Sequence, residues 1–490
     1  MNKQQFDALN NGAHNRIPVW RTVLADLDTP LSVYLKLADG SDSFLFESVE
    51  GGETWGRYSI IGLPARKRFT INGHKLETFE LGRKVSEETL EDPLGRIESI
   101  RTRYQVPELE ELPVFSGGLV GYFGYETVEL AEPRLAGHDK LDEMGTDDIV
   151  LLLAEELAVF DALEGRLWLI VNVDPAEPGA WEQSQRRLDQ LEHRLRAGST
   201  GYGLAVAGAA VSESDFRYGF EKSDFIDAVR RSQEYILAGD IFQVVLSQRM
   251  SVPFQARPLD VYRALRVLNP SPYMYFIDLG DTQIVGSSPE VLVRVQQRRM
   301  TVRPIAGTRW RGATAAEDQA LAEELLNDPK ERAEHLMLVD LGRNDVGRVA
   351  ATGTVSLTDN MIIERYSHVM HIVSQVEGDL APDCNTMDAV RAAFPAGTLS
   401  GAPKIRAMEI INELEPVKRN IYAGAVGYLS WHDDTDLAIA IRTAVIRDGQ
   451  LHVQAGAGIV ADSDPEQEWE ECMNKGRALL TAVDKASRGL

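Results

Sequence analysis

Two periods of hydrophobic and polar residues run through this chain, and each predicts a different kind of element. Segments 43–48, 58–61 and 167–173 are rich in β-branched and aromatic residues and are bounded by glycine, proline or aspartate, which is typical of β-strands. Residues 181–196 instead form a charged amphipathic pattern that indicates a helix. The chain up to about residue 205 is therefore predicted to be rich in strands.

Helix signals become clearer further along the chain. Residues 223–238 are predicted to form a helix, and Gly239 follows where helices favour a C-terminal glycine. Residues 242–250 then alternate in the manner of a strand, which would place Phe242 and Val244 on one face. This second part of the chain is predicted to alternate between helices and strands.

Two pairs of residues indicate where later helices begin. Asp328 followed by Pro329 predicts an N-cap with proline at the first helical position. Ser463, three residues before Glu466, predicts a capping box. Long helices alternate with strand-rich segments and we find no internal repeat, so the pattern favours an α/β or α+β fold.

The segment 197–203 is rich in glycine and small polar residues, which is typical of a surface linker. We therefore place a boundary near residue 210. It separates an N-terminal region, 1–210, from a second region, 211–490.

Composition limits the classes of function. The chain has 490 residues, 44% of them hydrophobic, which is enough for a large core. Its net charge of −24 argues against binding to nucleic acid or to an anionic membrane by bulk charge. An anionic small molecule would need a local positive site built from a metal ion, arginine or backbone N–H groups.

The remaining composition favours a reducing cytoplasm. The only cysteines are Cys384 and Cys472, which could form one disulfide but are more typical of ordinary thiols. The N-terminus has no apolar signal-peptide core, and apolar runs such as 149–154 are too short to span a bilayer. We expect a cytoplasmic protein with no nucleic-acid or membrane partner.

Two pairs of acids are the first candidate site. Glu331 and Glu334 are one helical turn apart, as are Glu468 and Glu471, so each pair would project from one helix face. Mg²⁺ prefers such oxygens, and it usually takes one or two carboxylates together with water and substrate oxygens. The alternative is a solvated helix face on which Lys475 forms an ion pair with Glu471.

Glycines and histidines supply weaker signals. The segment 304–308 is predicted to be a glycine turn that lets backbone amides approach an anion, and Gly456 with Gly458 permits either the same approach or a bulge. His368 and His371 are candidate bases, although a histidine in such a segment is more often a packed, hydrogen-bonded side chain.

Taken together, these motifs resemble the chorismate-utilising enzymes, and specifically the anthranilate synthase component I family. The resemblance is strongest from about residue 215 to 480 and weaker before it. The similar segments, in family order, are 238–249, 286–290, 303–309, 334–345, 369–371, 396–404, 422–427, 441–443 and the Gly456–Gly458 loop.

The resemblance implies a fold and a reaction. The fold would be α+β, with antiparallel sheets forming a sandwich-like core wrapped by helices and the site in a cleft. The reaction would convert chorismate and ammonia to anthranilate and pyruvate, the first step of tryptophan biosynthesis, with Mg²⁺ required. Region 211–490 would bind chorismate. Region 1–210 would contribute a tryptophan-binding inhibitory site while remaining integrated with the main body.

The same resemblance implies roles for individual residues. Glu334 and Glu471 would hold Mg²⁺, with the roles of Glu331 and Glu468 left open. Glu290 would protonate the leaving hydroxyl, and His371, rather than His368, matches the residue near the C2 proton. The expected substrate-binding residues are Gly307, Thr308, Tyr422, Arg442, Gly456, Ala457, Gly458 and Lys475.

Three further positions bear on which reaction the family member carries out. The water-adding relatives have lysine where this chain has Gln243, and a neutral amide cannot act as the base that activates water. Aminodeoxychorismate synthases commonly have lysine in place of Ala306, and alanine cannot attack the ring. Thr398 also fits the anthranilate pattern. Aminodeoxychorismate synthase and a non-catalytic tryptophan-responsive protein remain as alternatives.

The family pattern also implies regulation and a partner. Ser48, Pro272, Tyr273 and Met274 would form the tryptophan site, although Phe46 departs from the usual leucine. The chain has no glutaminase signature around Cys384. Ammonia from glutamine would therefore come from a separate amidotransferase subunit, with which a heterotetramer is expected.

Overall fold

Two large antiparallel sheets form the body of the protein. The computed structural model describes residues 1–38, 40–49, 57–137, 140–197, 210–366 and 369–490. Its strands are β1 Ile17–Leu24, β2 Ser43–Glu47, β3 Tyr58–Gly62, β4 Lys67–Asn72, β5 Lys75–Glu80, β6 Arg83–Thr89, β7 Gly118–Phe123, β8 Ile149–Ala154, β9 Glu156–Asp161, β10 Arg166–Val173, β11 Arg217–Tyr218, β12 Gln243–Pro253, β13 Tyr273–Asp278, β14 Thr282–Ser288, β15 Val291–Gln296, β16 Arg299–Val302, β17 Ile305–Trp310, β18 Ser356–Arg365, β19 Val369–Asp379, β20 Gly401–Ala402, β21 Ala425–Ser430, β22 Thr435–Ile439, β23 Thr443–Arg447 and β24 Gln450–Ile459.

Helices cover the sheets. The α-helices of the described residues are α1 Lys3–Leu9, α2 Pro30–Leu37, α3 Pro93–Arg101, α4 Val128–Ala131, α5 Ala180–Arg196, α6 Lys222–Leu237, α7 Pro258–Leu268, α8 Ala315–Asn327, α9 Pro329–Gly347, α10 Thr386–Ala393, α11 Gly397–Ser400, α12 Lys404–Leu414 and α13 Pro465–Arg488. Helix α13 packs on β24, α7 on β14 and α5 on β10, whereas α9 packs on β17 and β19.

The strand order shows how the chain builds the two sheets. The first sheet has the order β1-β10-β9-β3-β2-β13-β14-β23-β24-β12-β11, with β20 beside β12. The second has the order β17-β19-β16-β15-β22-β21-β7-β8-β4-β5-β6, with β18 beside β19. Each sheet combines strands from both sides of residue 210, so the two predicted regions share their sheets.

A hydrophobic core joins the two sheets. One buried cluster contains Ile277 and Val445 of the first sheet together with Tyr122, Val150 and Val426 of the second. Burying these apolar faces against each other gives a sandwich, and the helices cover its outer surfaces. The predicted α+β fold of antiparallel sheets wrapped by helices is confirmed.

Several local predictions match the described elements. Strands β2, β3 and β10 occupy the three predicted segments, and α5 and α6 occupy the two predicted helices. Gly239 follows α6 with a φ of +85°, the left-handed conformation that glycine adopts at little cost. Most of the predicted linker, from residue 198 onwards, lies outside the described residues, and so does His368.

Caps and turns differ more from expectation. Asp328 caps α9 as predicted, accepting hydrogen bonds from the backbone N–H groups of residues 330 and 331. The predicted cap Ser463 is wrong because Asp464, directly before a proline, caps α13 instead. Ser463 accepts a hydrogen bond from the Val460 N–H at 3.0 Å. Phe242 lies outside β12 and is 71% exposed, so its predicted place in this strand, on one face with Val244, is also wrong.

Two remaining features concern cysteines and membranes. Both Cys384 and Cys472 are free thiols. None of the described helices combines the length and the apolar character needed to cross a bilayer.

Candidate active site

A cavity of about 500 Å³ lies where the two sheets meet α9 and α13. Its size falls within the range of about 300–1,000 Å³ that is usual for small-molecule sites. Most of the site residues expected from the sequence line it. They are Gln243, Glu290, Ala306, Gly307, Thr308, Glu334, Thr398, Tyr422, Arg442, Gly456, Gly458, Glu471 and Lys475, together with Glu331 and Glu468.

The two acidic helices do face one another across this cavity. Burial and the neighbouring Glu331 carboxylate raise the pKa of Glu334, and Glu471 on α13 contributes to the rise. The Gln243 amide, which bonds to Glu334, acts in the opposite direction. Burial likewise raises the pKa of Glu468, with Glu471 adding to it. Like charges from two distant parts of the chain are therefore held in one partly buried space.

This donor set fits a hard divalent cation that shares its coordination with substrate. Carboxylate oxygens are the ligands that Mg²⁺ prefers, and a cation would relieve the repulsion between them. Within the described residues, no three acids, histidines or cysteines are grouped closely enough to form a metal site alone. Mg²⁺ rarely needs such a cage, because it keeps several waters and uses only one or two protein carboxylates.

Lys475 and Glu471 also form the ion pair that the alternative interpretation predicts. The Lys475 Nζ lies 2.7 Å from a Glu471 oxygen, and both side chains are about half exposed. Lys475 also donates a hydrogen bond to the Gly456 carbonyl at 2.9 Å. The lysine thus ties α13 to β24 at the rim of the cavity, and it brings a positive charge beside the acids.

Glu290 is the most deeply buried acid of the cavity. It follows β14, is 8% exposed, and has a pKa raised to about 7 by burial. The Thr398 hydroxyl donates to its Oε1 at 3.0 Å, and this bond, with the charges of Arg442 and Lys475, limits the rise. A carboxyl with this pKa is shared between its protonated and ionised forms at neutral pH, which suits a general acid.

His371 is not one of the residues that line the cavity, but it contacts two that do. Its Nδ1 is 2.9 Å from the Gly307 carbonyl and 3.1 Å from the Thr308 hydroxyl. A carbonyl oxygen can only accept, so Nδ1 carries the proton and Nε2 keeps a lone pair. Burial lowers the pKa of His371, and the positive charge of Arg442 lowers it further. The imidazole is therefore neutral at neutral pH and can accept a proton at Nε2.

The glycine of segment 304–308 is part of a strand rather than a turn. Gly307 is the extra residue of a β-bulge in β17, between Ala306 and Thr308, and has a φ of +67°. A Cβ there would lie 3.0 Å from a Glu331 oxygen, so glycine allows the strand to approach α9 closely. The prediction of a turn is wrong because the segment pairs with β19 on both sides of the bulge.

The glycines of β24 make room for two side chains of the cavity. A Cβ on Gly456 would lie 2.8 Å from the Tyr422 hydroxyl, and one on Gly458 would lie 2.4 Å from Gln243 Nε2. Strand β23 pairs with β24 only as far as Val453, so beyond it β24 has β12 as its only described ladder partner. The side chain of Ala457 is buried in the core and does not line the cavity.

Arg442 lies at the crossing point between the sheets. It connects β22 of the second sheet to β23 of the first, and its φ of +48° is unusual for a residue with a side chain. The Ser287 N–H donates to its carbonyl at 3.1 Å. The turn aims a guanidinium at the same cavity as Glu290, where it can pair with a carboxylate.

A second cavity, of about 270 Å³, lies among β2, β13 and β22. Ser48, Pro272, Tyr273 and Met274, the residues expected to bind an amino-acid inhibitor, all line it. The two segments meet because β2 pairs with β13, with Glu47 opposite Met274. Residues of this cavity that the sequence did not indicate include Tyr275, Arg294, Tyr428 and Asp436.

A family of known proteins matches most of this chain. A family model described as chorismate binding enzyme matches residues 44–481. The chain belongs to the chorismate-binding enzyme family. The resemblance found in the sequence is thereby confirmed over nearly its whole length.

Curated relatives narrow the position within this family. The chain is 57% identical over 489 residues to anthranilate synthase component 1 of Pseudomonas putida, covering 100% of this chain and 99% of that protein. It is 56% identical to the Pseudomonas aeruginosa protein of the same name, with both chains fully covered. The expectation of an enzyme of the anthranilate synthase class, a lyase, is confirmed.

Solved structures agree with the fold of this family member. Anthranilate synthase component I from Streptococcus pneumoniae is 38% identical, with a TM-score of 0.78 over 94% of this chain and 99% of that one. The menaquinone-specific isochorismate synthase of Escherichia coli shares 19% identity, a TM-score of 0.70 and 98% coverage of both chains. The latter similarity concerns the fold alone.

Proposed function

We propose that the chain converts chorismate and ammonia into anthranilate, pyruvate and water, the first step of tryptophan biosynthesis. One observation carries the proposal: a single cavity has acids from α9 and α13 on one side and Arg442 on another, with the protonatable Glu290 beside them. Chorismate has two carboxylates, so a site for it needs two positive partners. The cavity offers one arginine directly and one group of acids suited to a cation.

Substrate binding would use both partners. Arg442 would take the enolpyruvyl carboxylate together with amides of the segment Gly456, Ala457 and Gly458. Successive N–H groups of a strand point to opposite sides, and on one side this part of β24 has no described strand partner. The bulged Gly307, Thr308 and the Tyr422 hydroxyl would orient the ring, and Lys475 would add positive charge at the rim. Glu334 and Glu471 would hold Mg²⁺, which when bound would neutralise the ring carboxylate and favour nucleophilic addition.

The protein's own groups would then move two protons. Ammonia adds to C2 of the ring as the C4 hydroxyl leaves, and Glu290 donates the proton that turns this hydroxyl into water. The elimination that follows removes the C2 proton and the enolpyruvyl group as pyruvate, leaving the aromatic ring. His371 would accept the C2 proton through Nε2, since Nδ1 is held by the Gly307 carbonyl.

Two side chains of the cavity favour ammonia as nucleophile. Gln243 begins β12 and lies beside Glu334, where its neutral amide cannot deprotonate water. Ala306 occupies the wall of the same cavity and offers no amine of its own. Ammonia itself would be delivered by a separate glutamine amidotransferase subunit, with a heterotetramer as the expected assembly.

The second cavity would hold tryptophan as a feedback inhibitor. It has an apolar wall that includes Met274 and Tyr273, and two acids that could also accept from an ammonium. Glu47 already pairs with Arg266, and Asp436 with Arg294. An indole fits an apolar wall, while the charged ends of a free amino acid require polar partners. Ser48 would contact the ligand directly.

An assay with chorismate, ammonium and Mg²⁺ tests the proposed reaction. We expect anthranilate, measured by its fluorescence, to appear with one equivalent of pyruvate. Glutamine in place of ammonium should give no product with the purified chain alone. Consumption of chorismate without pyruvate would instead indicate aminodeoxychorismate, and no consumption would overturn the proposal.

A further inference from the structure

Two hydrogen bonds flank the left-handed backbone of Arg442. A residue with a side chain reaches a φ of +48° at a cost in free energy, so surrounding contacts must maintain it. On one side the Ser287 N–H donates to the Arg442 carbonyl at 3.1 Å. On the other, the Thr443 hydroxyl donates to the Ile441 carbonyl at 2.9 Å. These two bonds bracket the turn that directs the guanidinium into the cavity.

The Thr443 hydroxyl is itself held by a tyrosine. The Tyr275 hydroxyl lies 2.6 Å from Thr443 Oγ1, and both residues are buried. A threonine hydroxyl has a single proton, which Thr443 gives to the Ile441 carbonyl. Tyr275 is therefore the donor to Thr443, and the two bonds form one directed chain that ends beside Arg442.

A glycine makes this long reach possible. Tyr275 of β13 pairs with Gly286 of β14, and Gly286 pairs in turn with Thr443 of β23. A Cβ on Gly286 would lie 2.1 Å from the Tyr275 ring. The ring thus lies across the middle strand, in space that any other residue would occupy, and touches the strand beyond it. Three residues from distant parts of the sequence form one row across the sheet.

We propose that Tyr275 is a positioning residue for Arg442, acting through Thr443 and the Ile441 carbonyl. The proposal rests on the proposed binding of a chorismate carboxylate by Arg442. Tyr275 also lines the second cavity, so the row physically connects that cavity to the substrate-binding arginine. Tyr275 touches no substrate, and its effect should appear in substrate affinity rather than in the chemical step.

The variant Tyr275→Phe tests this role, since it keeps the ring over Gly286 and removes only the hydroxyl. We expect the KM and the dissociation constant for chorismate to rise about five- to tenfold, the size of one lost hydrogen bond, with kcat changed less than about twofold. Tyr122→Phe is the matched control, because its buried hydroxyl donates to the Asp147 carbonyl away from both cavities. It should leave both constants unchanged.

Two variants of Thr443 check that the effect follows the hydrogen-bond chain. Thr443→Ser keeps the hydroxyl and should stay within about twofold of the unaltered chain, whereas Thr443→Val should match or exceed Tyr275→Phe. Unchanged constants in Tyr275→Phe, or equal effects of Thr443→Ser and Thr443→Val, would overturn the proposal. Chorismate binding measured by calorimetry distinguishes the role of Tyr275 from the proposed reaction. If the unaltered chain binds chorismate but makes no anthranilate, only the proposed reaction is overturned. A chain that does not bind chorismate overturns both.

Discussion

At the scale of single residues, burial shifts the pKa values of the two groups proposed to move protons. Glu290 has a pKa raised to about 7 by burial, while burial lowers the pKa of His371 below its usual 6.5. The first group can therefore hold a proton, and the second can accept one, at the same neutral pH. This difference is what an acid and a base serving one substrate need.

The pH dependence of the reaction should follow the Glu290 carboxyl. Because a general acid must be protonated, kcat/KM should fall tenfold per pH unit above about pH 7. Below pH 7 it should stay level until His371, whose pKa is lowered, becomes protonated at more acidic pH. His371, with a lowered pKa, stays unprotonated over this upper range and adds no loss there. Glu290→Gln should lower kcat by about 10²- to 10⁴-fold and remove this upper limb from any remaining activity.

A partly buried glutamate outside the cavity provides the control for that experiment. Glu126 also has a pKa raised to about 7 by burial, and it accepts a hydrogen bond from the Arg419 N–H at 2.9 Å. Glu126→Gln should keep the pH profile of the unaltered chain. A Glu290→Gln variant with normal kcat and an unchanged profile would contradict the assignment of Glu290 as the acid.

The family motif identified Glu290 and its role as an acid, but not the pKa of its carboxyl. Its pKa depends on Thr398, which lies 108 residues later in the chain, and on the burial that the fold provides. The row of Tyr275, Gly286 and Thr443 could not be predicted from the sequence either, because it follows from the register of three strands. Residue type can be predicted from motifs, whereas side-chain environment requires the packed sheets.

At the scale of elements, the sequence predicts structure correctly where the interacting residues are close together in the chain. The cap Asp328 and the helix before Gly239 depend on residues within one helical turn, and both were predicted. The prediction that Ser463 caps α13 is wrong because Asp464, one position later, is the N-cap. The prediction of a turn around Gly307 is wrong for a different reason. The segment pairs with β19, which is distant in sequence, and this pairing makes it a bulged strand.

The second cavity is also a product of strand pairing, which brings Ser48 beside Pro272 and Met274. Ser48→Arg would place a long, charged side chain in about 270 Å³ of space that we propose for tryptophan. We expect tryptophan inhibition to be abolished while kcat and the KM for chorismate stay within about twofold, because Ser48 does not line the substrate cavity.

Inhibition curves at several tryptophan concentrations would measure that change. Ser86→Arg is the matched control, since Ser86 lies exposed on β6, away from both cavities. It should be inhibited like the unaltered chain. Undiminished inhibition of Ser48→Arg would refute the assignment of this cavity to tryptophan.

At the scale of the whole molecule, the electrostatics explain why the site needs concentrated positive charge. The chain carries a net charge of −24, which repels a dianionic substrate at long range. Arg442 and Lys475 face a cavity that also contains Glu331, Glu334, Glu468 and Glu471. The acids would themselves repel chorismate unless a cation lay between them and the substrate, so the account depends on a divalent ion.

Chorismate titrations followed by calorimetry, with Mg²⁺ and after its removal by EDTA, test this dependence. The unaltered chain should bind chorismate at least about tenfold more tightly with Mg²⁺ than without it. Glu334→Gln and Glu471→Gln should lose that difference, because loss of even an outer partner of a metal ligand typically costs about tenfold or more in metal affinity. Glu470→Gln, on the same helix but facing Arg477, should behave like the unaltered chain. Equal chorismate affinity with and without Mg²⁺, or full Mg²⁺ dependence in both Glu334→Gln and Glu471→Gln, would contradict the metal-assisted site.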